Sequence, residues 1–112
     1  LLCVLPQAGM GQQTTAAPTD EEEQIDNSIR KLGYVSGQVV QCKTASPEKA
    51  KLEKHALEIA NGILRLFGSD RAFMFAATYG AGVTEKIEPS KCAEAIQRYE
   101  TAVAKLKVLA TK

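Results

Sequence analysis

The stretch GYVSGQVVQC, residues 33–42, decides the fold of this chain. It is apolar, it is spaced by small residues, and it ends on a cysteine. Gly33 and Gly37 are four residues apart, so they lie on the same side of a helix. In a membrane this spacing can pair two helices, but the charged Arg30 and Lys31 precede it closely and argue against a membrane span. We therefore predict that the glycines let a neighbouring helix approach, at a cost of about 1 kcal/mol each in helix propensity.

The composition favours an all-helical domain. The chain has 112 residues, which suits one domain. Aromatic residues make up only 5% and tryptophan is absent, so the core must consist of Leu, Ile, Val and Ala, which favours helices over a sheet sandwich. The formal net charge of +1 creates no field that would attract nucleic acid or an acidic membrane, and we expect no nucleic-acid partner.

The first eighteen residues differ from the rest of the chain. Residues 1–6, LLCVLP, are apolar but too few to span a bilayer, and small, flexible residues follow them. We predict that residues 1–18 are the remnant of a secretory signal peptide and a disordered linker, and that residues 19–112 form the helical domain. The alternatives for the first segment are an expression artefact or a lipid attached at Cys3, although the bulky Leu2 argues against the lipid.

Apolar periodicity and capping signals predict the first two helices. The first helix begins after Thr19, which can cap the amides of an acidic first turn, and it ends near Cys42. The second helix begins at the Ser46-Pro47 pair and ends at Gly68.

The third and fourth helices are predicted from the remaining apolar segments. The third starts at Ser69 and is the most apolar, so we predict a central position for it. Its end is weak because Gly80 and Gly82 lower helix propensity, and a turn with a short extended piece is the alternative there. Pro89 or Ser90 opens the fourth helix. The apolar stripe of that helix consists of Cys92, Ile96, Tyr99, Val103, Leu106 and Ala110.

Cysteine number and topology together predict one disulfide. Without residues 1–18, Cys42 and Cys92 remain, an even pair in an oxidising compartment. Helices joined by short connections run alternately up and down, so the end of the first helix and the start of the fourth meet at the same end of the bundle. We predict the bridge Cys42–Cys92, with the first and fourth helices as close neighbours whose approach Gly33 and Gly37 allow. Two separately buried thiols are the alternative.

The sequence offers few groups for chemistry. His55 is the single histidine, and no spacing of histidines and cysteines suits a transition metal. We predict no catalytic residue, no metal site and no cofactor, with a small enzyme or ligand-binding protein using a pocket near His55 as the alternative. Tyrosines are enriched at interfaces, and a glycine-containing helix end can be mobile; for the tyrosines, core or rim positions are the alternative. The candidate binding residues are therefore Tyr34, Tyr79, Gly80, Gly82 and Tyr99.

Two short segments resemble families of small bacterial periplasmic proteins. Residues 90–107, SKCAEAIQRYETAVAKLK, resemble the second cysteine and lysine-rich last helix of the HdeA-type acid-stress chaperones. Residues 33–37, GYVSG, resemble the GYVxG helix of the Tai-type immunity proteins of secreted amidases. In the chaperones the first cysteine opens a helix, whereas Cys42 closes one, and the further cysteines of the immunity proteins are absent here.

These resemblances imply a periplasmic or secreted protein that binds another protein without catalysis, as a chaperone or as an inhibitor. We expect a protein partner, with a homodimer as a further option. A structural subunit of an envelope assembly is the remaining alternative. Each resemblance covers one short segment, so no functional residue is carried over from either family.

Overall fold

The computed structural model describes residues 19–43 and 46–111, and this part of the chain is helical without any strand. The all-helical fold of about four helices is therefore confirmed. Within the described residues, no helix is both long and apolar enough to cross a membrane. The predicted signal-peptide remnant and linker at residues 1–18 lie outside the described residues. The four helices are α1 at Asp20–Cys42, α2 at Ser46–Phe67, α3 at Ser69–Thr84 and α4 at Cys92–Ala110, with a 3₁₀ turn at Pro89–Lys91 that leads into α4.

A capping box starts α1. The Thr19 hydroxyl accepts a hydrogen bond from the Glu22 amide at 3.1 Å, and the Glu22 carboxylate accepts one from the Thr19 amide at 2.9 Å. Four acidic residues occupy the first turn, where the helix dipole is positive. The predicted start after Thr19 is confirmed.

α1, rather than α3, is the buried helix of the domain. Ten residues of α1 are buried, Ile29 and Leu32 among them, whereas the buried residues of α3 are Phe75 and Gly82. The prediction of a central α3 is wrong because much of its apolar character comes from alanine and glycine, and its Phe73 side chain is 74% exposed. α1 offers small residues on more than one side, so other helices pack around it.

α1 and α3 approach each other closely through glycines. A Cβ atom added at Gly37 would lie 2.6 Å from the Val83 amide nitrogen, and one at Gly33 would lie 2.6 Å from a carbonyl oxygen of α3. On the other helix, a Cβ atom at Gly82 would collide with the backbone of Tyr34. The predicted close approach is confirmed, but the neighbour at the glycines is α3 and not the predicted α4.

The helices alternate in direction as predicted. Asp26 of α1 pairs with Arg71 of α3 at 2.8 Å, and further along both helices Gly37 faces Gly82, so α1 and α3 run parallel. α1 packs most extensively against α3 and next against α4, while α2 packs against α3 and less extensively against α1. The closest pair, α1 and α3, is thus not adjacent in the chain and lies across the diagonal of the bundle. As a consequence, α2 and α4 have little contact with each other.

One disulfide joins the ends of α1 and α4. The Cys42 and Cys92 sulfur atoms are 2.09 Å apart, and their Cα atoms are 5.7 Å apart, within the range of native disulfides. Cys42 is the last residue of α1 and Cys92 is the first of α4. The predicted pairing and its position at one end of the bundle are confirmed.

Candidate binding groove

An open groove lies between α2 and α4, where these helices fail to meet. It encloses about 160 Å³. Leu32 of α1 and Ile63 of α2 are buried beneath it, while Leu66 stands 63% exposed at its rim. Except for His55 and Lys107, all residues that line it are apolar or glycine. We name this surface the α2–α4 groove; its walls include Ile59, Gly62 and Leu66 of α2 and Val103, Lys107 and Ala110 of α4.

A hydrogen bond links α2 and α4 at one end of the α2–α4 groove. His55 Nδ1 lies 2.5 Å from the Tyr99 hydroxyl oxygen, and the two rings meet edge to face with centroids 6.2 Å apart. Burial raises the pKa of the Tyr99 hydroxyl above its ordinary value. The protonated phenol can donate a hydrogen bond to His55 Nδ1, which links the two walls of the groove.

A larger cleft lies on another face of α4, between α1 and the connection that precedes α4. It encloses about 360 Å³. Three basic side chains, Lys86, Lys91 and Arg98, share its lining with the acidic Glu88 and Glu94, and all five are exposed. These opposite charges largely balance, so the cleft selects neither anions nor cations. The apolar α2–α4 groove is the better candidate for a binding surface.

Two glutamines of α1 hold the carboxyl end of α3. The side-chain amide nitrogens of Gln38 and Gln41 each donate to the carbonyl oxygens of Gly82 and Glu85, at 2.6 to 2.8 Å. A helix leaves carbonyl groups without partners at this end. The Tyr34 hydroxyl donates to the Glu85 carboxylate at 2.5 Å. α1 therefore determines where α3 ends, which the sequence analysis left open.

We expect the substitutions Gln38→Ala and Gln41→Ala to be strongly non-additive. Each single variant leaves one amide on both carbonyl groups, so it costs roughly 1 kcal/mol of unfolding free energy. The double variant leaves both carbonyl groups without these donors and costs roughly 3 kcal/mol or more. Urea unfolding of the four proteins measures the difference. Strictly additive losses would show that the two amides do not share their acceptors.

Three of the predicted binding residues lie together, but they serve the packing of α1 on α3. The backbone of Tyr34 packs against Gly82, and the carbonyl group of Tyr79 packs against Gly37. These backbone atoms are in contact within the domain, while Tyr34 also lines the larger cleft between α1 and the connection that precedes α4.

The other two predicted residues lie elsewhere. Gly80 is exposed on α3 with open space around it. Tyr99 of α4 borders the α2–α4 groove through its hydrogen bond with His55. Gly62 and Lys107 of the groove were not predicted from the sequence. For Gly62 the available signal was a glycine in the middle of an otherwise strong helix.

The raised pKa values of three tyrosine hydroxyls indicate that the protein loses stability at alkaline pH. The hydrogen bond to Glu85, followed by burial, raises the pKa of Tyr34, and burial raises the pKa values of Tyr79 and Tyr99. A group with a higher pKa in the folded state stabilises the fold below its unfolded pKa, and this contribution is lost as the pH rises through its folded pKa.

We therefore expect the unfolding free energy to fall as the pH rises above about 10, the ordinary pKa of tyrosine. Urea unfolding at a series of alkaline pH values measures it, with tyrosinate absorbance recorded in parallel. The Tyr99→Phe variant is the control, because its free energy should depend less on pH. An unfolding free energy that stays constant over this range would contradict the prediction.

Comparisons with protein-family models, with curated proteins and with solved structures find no match for this chain. Both family resemblances of the sequence therefore stay predictions. Across residues 19–43 and 46–111, no group of three or more His, Cys, Asp or Glu side chains is placed to hold a metal ion. The main apolar candidate binding surface of the described residues is the α2–α4 groove, with the hydrogen-bonded pair His55 and Tyr99 at one end.

Proposed function

We propose that the protein is an exported, non-enzymatic domain that binds apolar surface on a protein partner. The α2–α4 groove carries this proposal, because it is apolar along its length and open to solvent. Soluble proteins rarely leave extended apolar surface uncovered unless it serves binding.

The disulfide supports a location outside the cytosol. Cytosolic thiols are kept reduced, whereas a structural bridge such as Cys42–Cys92 persists in an oxidising compartment. A periplasmic or secreted protein of this kind would act either as a chaperone that holds many unfolded clients or as an inhibitor that holds one enzyme.

Two matched variants test the role of the α2–α4 groove. Leu66→Glu places a charge at its rim, and Leu57→Glu places the same charge on another face of α2, at side chains that are 63% and 68% exposed. We expect the oxidised wild-type protein and Leu57→Glu to suppress the aggregation of a chemically denatured test protein, and Leu66→Glu to lose this effect. Light scattering measures the aggregation. If the wild-type protein leaves the scattering unchanged at both neutral and acidic pH, the chaperone-like function is wrong.

Acid response separates the two kinds of binding. A chaperone of the acid-stress kind should loosen below about pH 3, expose apolar surface, and dissociate if it is a homodimer at neutral pH. Fluorescence of an apolar dye and the mass in sedimentation measure these changes. A flat dye signal with unchanged mass favours an inhibitor, which should instead form a complex of fixed stoichiometry with one secreted enzyme.

One observation favours a second candidate function, the binding of a small ligand. His55 lines the α2–α4 groove and is exposed, so a ligand with an apolar body and a polar end could bond to its ring. Calorimetry with wild-type protein and His55→Ala would test this, since the substitution should abolish ligand binding and leave the suppression of aggregation intact.

A further inference from the structure

We infer that the α2–α4 groove receives an amphipathic helix of about three turns from a protein partner, with an apolar stripe flanked by carboxylates. This inference rests on the proposed function and specifies the chemistry of the partner at that same groove.

The α2–α4 groove has the dimensions of a missing helix. α2 and α4 both pack against α1 but have little contact with each other, so a gap remains between them, lined at its base by the buried Leu32, Ile63 and Leu106. Along α2 the groove extends from His55 to Phe67, which is twelve helical steps or about 18 Å at the helical rise. This length matches about three turns of a docked helix, whose apolar side chains at positions i, i+3 or i+4, and i+7 would enter the groove.

Gly62 has no packing role inside the domain. A Cβ atom added there meets no atom within 4 Å, whereas at Gly33, Gly37 and Gly82 it would collide with α1 or α3. A glycine in a helix interior is less favourable than alanine by about 1 kcal/mol. Gly62 lines the α2–α4 groove, and its lack of a side chain leaves space for the backbone of another helix to approach.

The openness of the groove favours a helix over a single acyl chain. Sites for small molecules bury about 70–90% of the ligand surface. Here Leu66 is 63% exposed and His55 and Lys107 are exposed as well. Such a trough covers one face of a ligand and leaves the other in solvent, which suits an amphipathic helix.

The charge of the lining selects the flank of that helix. Lys107 carries a positive charge at the rim, His55 is the other ionisable group of the lining, and the lining contains no carboxylate. Acidic side chains beside the apolar stripe of a partner would therefore meet Lys107 favourably. In direct contact between the grooves of two copies of this chain, neither lining would offer a carboxylate to Lys107, which disfavours a second copy as the occupant.

Two synthetic helical peptides test the inference with the oxidised full chain. Both have about 18 residues and the same leucine stripe, but one has glutamate flanks and the other lysine flanks. We expect the acidic peptide to bind at least about ten-fold more tightly in fluorescence anisotropy. Lys107→Glu should reverse this preference, because it reverses the charge at the rim.

A second pair of variants separates binding from folding. Gly62→Leu fills the groove, and Gly80→Leu adds the same side chain on α3, where a Cβ atom also meets no atom within 4 Å. Neither should lower the melting temperature, because both replace a helical glycine in open space. We expect Gly62→Leu to weaken binding of the acidic peptide at least about ten-fold, and Gly80→Leu to leave it unchanged.

Each of the other outcomes contradicts a specific part of the inference or of the proposed function. If neither peptide binds while the protein still suppresses aggregation, the helix assignment is wrong and the proposed function stands. If both peptides bind equally, the groove receives a helix but does not select acidic flanks. A dimer that Leu66→Glu dissociates would assign the groove to a second copy, and displacement of the acidic peptide by laurate but not by unlabelled peptide would assign it to an acyl chain. Failure of both peptide binding and aggregation suppression would overturn the α2–α4 groove as the binding surface and the chaperone-like function with it.

Discussion

Gly37→Ala is expected to destabilise the protein by more than about 3 kcal/mol, and it is one of the two largest effects that the structure predicts. The added methyl group would collide with the Tyr79 carbonyl oxygen and lie 2.6 Å from the Val83 amide nitrogen and 2.8 Å from the Gly82 carbonyl carbon. All three are backbone atoms of α3, so no side-chain rotation can relieve the contact. α1 and α3 would have to move apart along the most extensive helix interface of the domain.

The control for this prediction is Gly80→Ala. Gly80 is also a glycine in a helix, but a Cβ atom there meets no atom within 4 Å. The substitution should therefore stabilise the protein by up to about 1 kcal/mol through helix propensity. Urea unfolding followed by circular dichroism measures both variants. If Gly37→Ala unfolded at the same urea concentration as Gly80→Ala, the close approach of α1 and α3 would be wrong.

The helices and the disulfide could be predicted from the sequence because both depend on local signals. Thr19 and the acidic turn after it define the start of α1 whatever packs beside it. The short connections then force alternating directions, which alone brings Cys42 and Cys92 to one end. None of these steps requires knowledge of which helices pack most closely.

The packing of the helices could not be predicted in the same way. Gly33 and Gly37 indicate that some backbone comes close, but only their counterpart Gly82 shows that this backbone belongs to α3. From the sequence alone, Gly82 was expected to lower helix propensity near the end of the third helix. In the structure it is buried against Tyr34, and the same residue therefore stabilises the pairing of two helices.

The α2–α4 groove could not be predicted from the sequence for a related reason. Its two walls are far apart in the chain, and it exists because the close α1–α3 pair leaves α2 and α4 separated. The periodicity of α2 places Ile59 and Ile63 on an apolar face, which equally suits a fully covered core. Only the three-dimensional arrangement shows that this face extends beyond what the domain itself covers, as the exposed Leu66 indicates.

Removal of the disulfide is expected to cost about 4 kcal/mol of unfolding free energy, the value that the chain-entropy model gives for a loop of this length. Cys42 and Cys92 are 50 residues apart in the sequence, so without the bridge the unfolded chain gains many conformations. α4 makes its main helix contact with α1, and the bridge links these two helices directly. Since small domains have a total stability of about 5–15 kcal/mol, the loss is a large share.

The double variant Cys42→Ser/Cys92→Ser measures this effect, because it removes the bridge without leaving an unpaired thiol at either of these two positions. We expect its urea midpoint and melting temperature to fall far below those of the oxidised protein, and a reductant to bring the wild-type protein down to the same values. The same reductant should leave the double variant unchanged, which controls for effects on the rest of the chain. Equal unfolding free energies for the oxidised protein and the variant would mean that α1 and α4 are held by packing alone, and that the bridge contributes no stability.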